Sequence, residues 1–249
     1  MTTLSDKLEL PLSGRTVLVT GANGGLGHEF VTQALKRGAR KVYAAARTPK
    51  SWNDANVQPL PLDITSAEAV IRAVSMAPDV DLLINNAAIA PSSDSISGPE
   101  DELRRIFETN FFGSLRVANA FAPILAANGG GTLLNILSSA AWISMPTAYA
   151  ASKAAFWSAT NALRFELEGQ GTQVVGLMVG MIDTPMAAGY DVPKSSPASV
   201  VSQAYEGVTT GALEVLADDL TRDLKSRLNT KAEEFYPWMH TQLRAFFAD

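Results

Sequence analysis

The most constraining stretch lies near the start of the chain, where an apolar run passes through glycines into a helix. Thr16–Thr20, TVLVT, is β-branched or apolar throughout, as a strand buried on both faces must be. It runs into Gly21-Ala22-Asn23-Gly24-Gly25-Leu26-Gly27 and then a helical pattern over 28–37. Strand, glycine turn and helix in this order open a βαβ unit and form the context of a dinucleotide fingerprint. Gly21 permits the tight turn, Gly25 a close approach of backbone to a pyrophosphate, and Gly27 close packing of helix on strand. Asn23 and Leu26 share the loop, and the helix N-terminus presents free N–H groups and its positive dipole end to an anion.

The alternation continues to the end of the chain. Further strands are expected at 42–46, 57–62, 81–85, 132–137, 173–179 and 212–217. Helical patterns occupy 66–76, 102–128, 149–168, 200–211 and 221–228. Strands alternating with helices imply a parallel sheet covered on both faces. The expected architecture is one α/β domain over 1–249, a Rossmann-type doubly wound parallel sheet of about seven strands with helices on both faces. No repeat or linker divides it. Residues 91–98 form a polar loop, and 187–211 is expected to include a substrate lid, with 187–199 lacking periodicity. The aromatic tail over 229–249 could close over the site, contact another subunit or cap the core.

Composition narrows the function. The 249 residues are 47% hydrophobic, enough for one large core. A net charge of -5 argues against a nucleic-acid partner, which requires an excess of Lys and Arg. Without cysteine there is no disulfide, thiolate metal site or cysteine nucleophile. His28 and His240 have no spaced partners for a triad or a metal site, so no metal is expected. No apolar run approaches a membrane span, and the N-terminus lacks the pattern of a signal peptide, so a cytoplasmic location is expected.

The chemistry concentrates between residues 135 and 155. Tyr149 and Lys153 are four apart on a predicted helix and share one face. A phenol is a poor acid or base near neutrality, and a neighbouring cation favours its ionised form, which suits acid/base work. Ser138 closes the preceding strand. Because alternate residues of a strand face opposite sides, only one of Ser138 and Ser139 should face the site.

Together these motifs resemble the short-chain dehydrogenase/reductase family over nearly the whole chain, from about Ser13 to Ala217. Thr20-Gly21-x-x-x-Gly25-x-Gly27 is similar to its cofactor motif, and Asn85-Asn86-Ala87-Ala88 to its Asn-Asn-Ala-Gly. Asn110, Ser138, Tyr149 and Lys153 match its catalytic positions, and 180–184, GMIDT, resembles its nicotinamide-contacting segment. The resemblance implies hydride transfer between a nicotinamide and a carbonyl or alcohol. Tyr149 would be the proton donor and Ser138 the hydrogen-bond donor to the oxygen. Lys153 would hold the ribose and lower the phenol pKa, and Asn110 would hold a water. The implied cofactor set is Gly21, Asn23, Gly25, Leu26, Gly27, Arg47, Asp63, Ile64, Asn86, Ala87, Tyr149, Lys153, Gly180, Ile182 and Thr184. The implied substrate set is Ser138, Trp142, Tyr149, Met181 and Met186, with Ile143, Met145 and Tyr190 nearby. An apolar or aromatic small molecule suits these side chains. Relatives pair through the helices carrying 110–125 and 149–168, implying a homodimer or homotetramer.

Three features depart from the family pattern. Ala88 replaces a glycine, Val179 stands where proline often precedes Gly180, and the interval from Ser138 to Tyr149 is short. The register from Asn135 favours Ser138 over Ser139. Cofactor choice turns on the end of the second strand, Ala44-Ala45-Ala46-Arg47-Thr48, which carries an arginine and no acid. Arginine there accommodates the 2′-phosphate of NADP, so NADP(H) is favoured over NAD(H). The alternatives are an NAD-dependent alcohol dehydrogenase working oxidatively and a non-catalytic dinucleotide-sensing regulator.

Overall fold

The computed structural model describes residues 11–91, 95–143 and 145–246. Seven strands form one sheet in the order β3-β2-β1-β4-β5-β6-β7. They are β1 (Thr16–Thr20), β2 (Lys41–Ala46), β3 (Val57–Pro61), β4 (Leu82–Asn85), β5 (Thr132–Ile136), β6 (Gln173–Met178) and β7 (Glu214–Leu216), every neighbouring pair parallel. The helices are α1 (Gly25–Lys36), α2 (Ala67–Met76), α3 (Glu100–Phe107), α4 (Ser114–Ala127), α5 (Ala148–Glu168), α6 (Pro197–Thr210), α7 (Asp219–Arg227) and α8 (Ala232–Phe246). This is the expected doubly wound architecture, and its chain order reverses between β1 and β4. Such a switch point opens a crevice at the C-terminal ends of the strands.

Strand alternation divides the core. Val17 and Val19 of β1, with Leu82 and Ile84 of β4, point to the layer of α1 and α6. Leu18 and Leu83 point instead to α2, α4 and the far end of α5. A third cluster joins Leu137, Trp142 and Phe156 to Leu224, Phe235 and Met239. The aromatic tail therefore forms a helix that caps the core, with the Arg227 guanidinium 4.3 Å from the Trp238 ring centroid.

Two expectations change. Residues 197–210, part of the expected lid, form a core helix: Ser196 caps it, accepting from the Ser199 amide. Val200, Val201, Ala204 and Tyr205 on it are wholly buried, and the Tyr205 hydroxyl donates to the Phe30 carbonyl at 2.8 Å. The segment that precedes it is closed at its base, where the Asp183 amide donates to Ser195 O (3.0 Å) and the Ser195 amide to Met181 O (2.8 Å). The long helical pattern at 102–128 starts earlier, at Glu100, and is interrupted by a π-helical turn at Glu108–Gly113. Ala88 fits its place, because no non-glycine among the described residues has positive φ.

Candidate active site

Buried polar side chains tie α5, which carries Tyr149 and Lys153, to the sheet. Asn85 of β4 donates to Asn135 Oδ1 of β5 (3.1 Å), and Asn135 donates to Thr160 Oγ1 of α5 (3.0 Å). Thr147 caps α5, accepting from the Ala150 amide. Tyr149 and Lys153 thus lie on a helix whose start and middle are both anchored.

Lys153 is almost wholly buried, and its ammonium donates to Ile136 O at 2.9 Å. Burial pulls its pKa down to about 8. That ammonium lies 5.8 Å from the centroid of the Tyr149 ring. Tyr149 differs from expectation: burial holds its phenol above the ordinary value, and a hydrogen bond from Ser138 only partly offsets this. The desolvation cost of a phenolate outweighs that hydrogen bond, so the phenol is protonated at neutral pH. Ser138, at the end of β5, is buried, and its hydroxyl accepts from the Ala140 amide at 3.1 Å. Its bond to the phenol makes Ser138 the serine of the pair that faces Tyr149. Ser139 begins a 3-10 turn, and its amide donates to Val179 O at 2.8 Å.

Asn110 sits within the π-helical turn, a distortion that recurs at functional sites. Its Oδ1 accepts from the Ile89 amide (2.8 Å), and its Nδ2 donates to Ile89 O (2.9 Å) and Ser152 Oγ (3.2 Å). The Asn110 side chain thereby joins the exit of β4 to α5.

The glycine loop has the geometry of a cofactor cradle. Gly21 (φ 67) and Gly25 (φ 51) are left-handed, and a Cβ on Gly27 would fall 2.2 Å from Gly21 O. No side chain caps α1 at Gly24, so its first amides are available to an anion. Asn86 supports the loop from beneath, donating to Thr20 O at 2.8 Å, while Thr20 Oγ1 accepts the amides of Asn86 and Ala87. Asn23 donates to Thr48 O (2.7 Å) and accepts from the Lys50 amide (3.2 Å), fastening the loop after β2 to the glycine loop. Leu26 and Ile64 are buried, and Ile64 O accepts from Arg116 (2.7 Å). Asp63 accepts from the Thr65 amide and hydroxyl, which keep its carboxyl below the usual range, with Arg47 and Arg116 adding to the effect. These contacts, an uncapped helix end and a buried ammonium fit a dinucleotide.

Arg47 is exposed. Sequence reasoning missed Lys50, whose ammonium donates to Asn23 O (3.0 Å) and lies 3.1 Å from His28 Nδ1 and 4.6 Å from the Trp52 ring centroid. Three residues after Arg47, it carries no sequence signal for its return to the glycine loop.

On the substrate side, Trp142 is buried against Trp157, ring centroids 6.2 Å apart, and belongs to the third core cluster. Ile182 is also buried, while Thr184 packs beside Gly25, where a Cβ would lie 3.5 Å from it. Met181 is half-buried, and Met186 and Tyr190 are exposed on the segment closed at Ser195. Ile96, also exposed, is joined to the catalytic loop through its amide bond to Pro146 O (2.8 Å). Among the described residues no acidic, histidine or cysteine cluster could hold a metal, and no helix is long and apolar enough to cross a membrane.

A glycine loop at the switch point of the sheet, beside a serine, a tyrosine and a lysine brought together by β5 and α5, fits the chemistry of an oxidoreductase that uses a dinucleotide. The family profile described as short chain dehydrogenase matches residues 15–193. An uncharacterised oxidoreductase of Staphylococcus aureus strain MRSA252 is 31% identical over 224 residues, 84% of this chain and 94% of that protein. A short chain dehydrogenase from Burkholderia cenocepacia J2315, solved in complex with NADP, is 34% identical with a TM-score of 0.85, covering 92% of this chain and 98% of that one. A 7α-hydroxysteroid dehydrogenase solved with NADH and a 7-oxo bile acid is 25% identical with a TM-score of 0.75, covering 84% and 94%. The chain belongs to the short-chain dehydrogenase family and is an oxidoreductase.

Proposed function

We propose that the protein is an NADP(H)-dependent reductase of an apolar or aromatic ketone or aldehyde. The observation that carries this reading is the cationic pair at the end of β2, Arg47 and Lys50, in a loop fastened to the glycine turn and without a carboxylate at the strand end. Two cations there favour a 2′-phosphate, whereas an acid would favour an unphosphorylated ribose. The Burkholderia relative's bound NADP supports the same choice.

NADPH would lie along Gly21–Gly27, with the α1 amides at its pyrophosphate, Asp63 and Ile64 at the adenine, and Ala87, Ile182 and Thr184 toward the nicotinamide. When bound, it supplies the hydride that converts a carbonyl carbon to an alcohol carbon. Lys153 holds the adjoining ribose hydroxyls with the ammonium protons not given to Ile136. The protonated Tyr149 gives its Oη proton to the substrate oxygen, and the Ser138 hydroxyl hydrogen-bonds the same oxygen as its charge grows. Asn110 keeps α5 and the Ile89 backbone in register around this pair. Exposed Ile96, Met186 and Tyr190 offer an apolar rim for the substrate. The protein assembles as a homodimer or homotetramer through faces that include Phe112 and Phe165, which is 82% exposed.

Fluorescence titration of NADPH against NADH, with Arg47→Ala alongside, tests the cofactor reading. Tighter NADPH binding that weakens selectively in the variant supports it. Preference for NADH would favour the oxidative, NAD-dependent reading instead, and no binding of either would remove the enzymatic one.

A further inference from the structure

The turn after β6 is held at both ends of one peptide unit. The carbonyl of Val179 accepts from the Ser139 amide at 2.8 Å, beside Ser138. The N–H of the same peptide, that of Gly180, donates to Asp218 Oδ2 at 2.6 Å. The other carboxylate oxygen, Oδ1, accepts from the Thr221 amide at 2.8 Å, in a capping box at the start of α7. One carboxylate therefore grips the catalytic wall through a single rigid peptide plane.

We infer that Asp218 is a positioning residue for the nicotinamide half of the cofactor, setting the Val179–Gly180 peptide from which the segment 180–184 departs. This rests on the cofactor reading above, and three observations carry it. First, a charge-assisted bond to an N–H strengthens the acceptor at the other end of the peptide, so the Asp218 contact also tightens Val179 O against Ser139. Second, Val179 lacks the fixed φ that proline would impose, so the turn depends on hydrogen bonds for its orientation. Third, the fit at Gly180 is close: a Cβ there would lie 3.1 Å from Leu220 and 3.2 Å from both carboxylate oxygens of Asp218. The position of α7 at its first turn is thus transmitted to the site, and Asp218 touches neither cofactor nor substrate itself.

The test separates the two halves of the cofactor and needs no substrate. NADPH and the half-cofactor 2′,5′-ADP are titrated against wild type, Asp218→Ala, Asp218→Asn and Thr221→Val, each checked by thermal melting. Asp218→Ala is expected to weaken NADPH about tenfold, the loss of one charge-assisted bond, and to reduce the fluorescence gain of the bound nicotinamide. Binding of 2′,5′-ADP stays within about twofold because the adenosine half lies on the glycine loop. Asparagine, which can still accept from Gly180, restores most of the NADPH affinity. Thr221→Val keeps the Thr221 amide on Asp218 Oδ1 and the carboxylate on the Gly180 amide, so it weakens NADPH less than Asp218→Ala does. Equal weakening of both ligands, or NADPH binding unaffected in Asp218→Ala, overturns the inference. A wild type that prefers NADH overturns the NADP reading alone, and the same comparison then runs with NADH against ADP. A wild type that binds no dinucleotide overturns both.

Discussion

Lys153 donates its buried ammonium to the carbonyl of Ile136, 2.9 Å away and seventeen residues earlier in the chain. This bond carries the charge into the interior, where burial lowers its pKa to about 8. Replacing it with an apolar chain of similar length should stabilise the fold while removing activity. The shift from 10.5 corresponds to roughly 3 kcal/mol, offset by about 1 kcal/mol for the lost hydrogen bond. Lys153→Met is therefore expected to melt about 5 °C higher at pH 7. The penalty in wild type is complete below about 8. It disappears as pH rises from there past the unfolded value, so the difference in melting temperature shrinks above that pH. Paired thermal scans across pH check both the sign and the window.

Tyr149→Phe removes the proton donor and leaves the ring. With a carbonyl substrate found by screening, NADPH oxidation should fall by roughly 10²–10⁴-fold. NADPH affinity, held by the glycine loop and Lys153, should change little. A variant with near-normal turnover would remove the phenol from the mechanism.

Lys50→Met tests the second cation at the end of β2. NADPH binding should weaken about tenfold, with NADH unchanged and the dependence of NADPH binding on salt reduced. Equal weakening of the two cofactors would mean that Lys50 only braces the glycine loop through Asn23.

Gly27→Ala places a methyl 2.2 Å from Gly21 O and 2.7 Å from Asn86 Nδ2. Backbone must move to accommodate it, at a cost of about 1–3 kcal/mol. Lower melting temperature and loss of dinucleotide binding are the expected outcome, read by thermal scan and titration.

Phe165→Asp should dissociate the assembly into smaller species in sedimentation equilibrium, because a phenylalanine 82% exposed on α5 is placed to meet another copy. An unchanged mass would move the interface elsewhere.

The alternation of apolar strands and helices made the doubly wound sheet legible in the sequence, since Val17, Leu18 and Val19 had to be buried on two faces. The shared face of Tyr149 and Lys153 was legible because helical spacing is a local rule, whereas strand parity left Ser138 and Ser139 open and only the family register favoured Ser138. Contacts between distant loops were not. Nothing local says that Lys50 turns back to Asn23, or that Asp218 reaches the amide of Gly180. The π-helical turn at Glu108–Gly113 was hidden because the apolar spacing runs on through it, and tertiary bonds from Asn110 to Ile89 and Ser152 accompany it. The stretch expected as a lid, 187–211, overlaps the core helix at Pro197–Thr210, whose start was hidden because Ser196 and Pro197 continue an aperiodic stretch. The upward shift of the Tyr149 phenol was not legible either, because it comes from burial, which depends on the whole fold.

The widened turn before α4 also sets a phase. Each residue of a regular helix advances the side chains by about 100°, so one extra residue in the turn rotates everything after it relative to α3. Asn110 faces inward while Phe112 faces out. Removing a single residue from 108–113 would restore an unbroken helix and still turn one of the two faces away from its neighbours. Length at this point of the chain therefore matters as much as the identity of Asn110 to the bonds that reach Ile89 and Ser152.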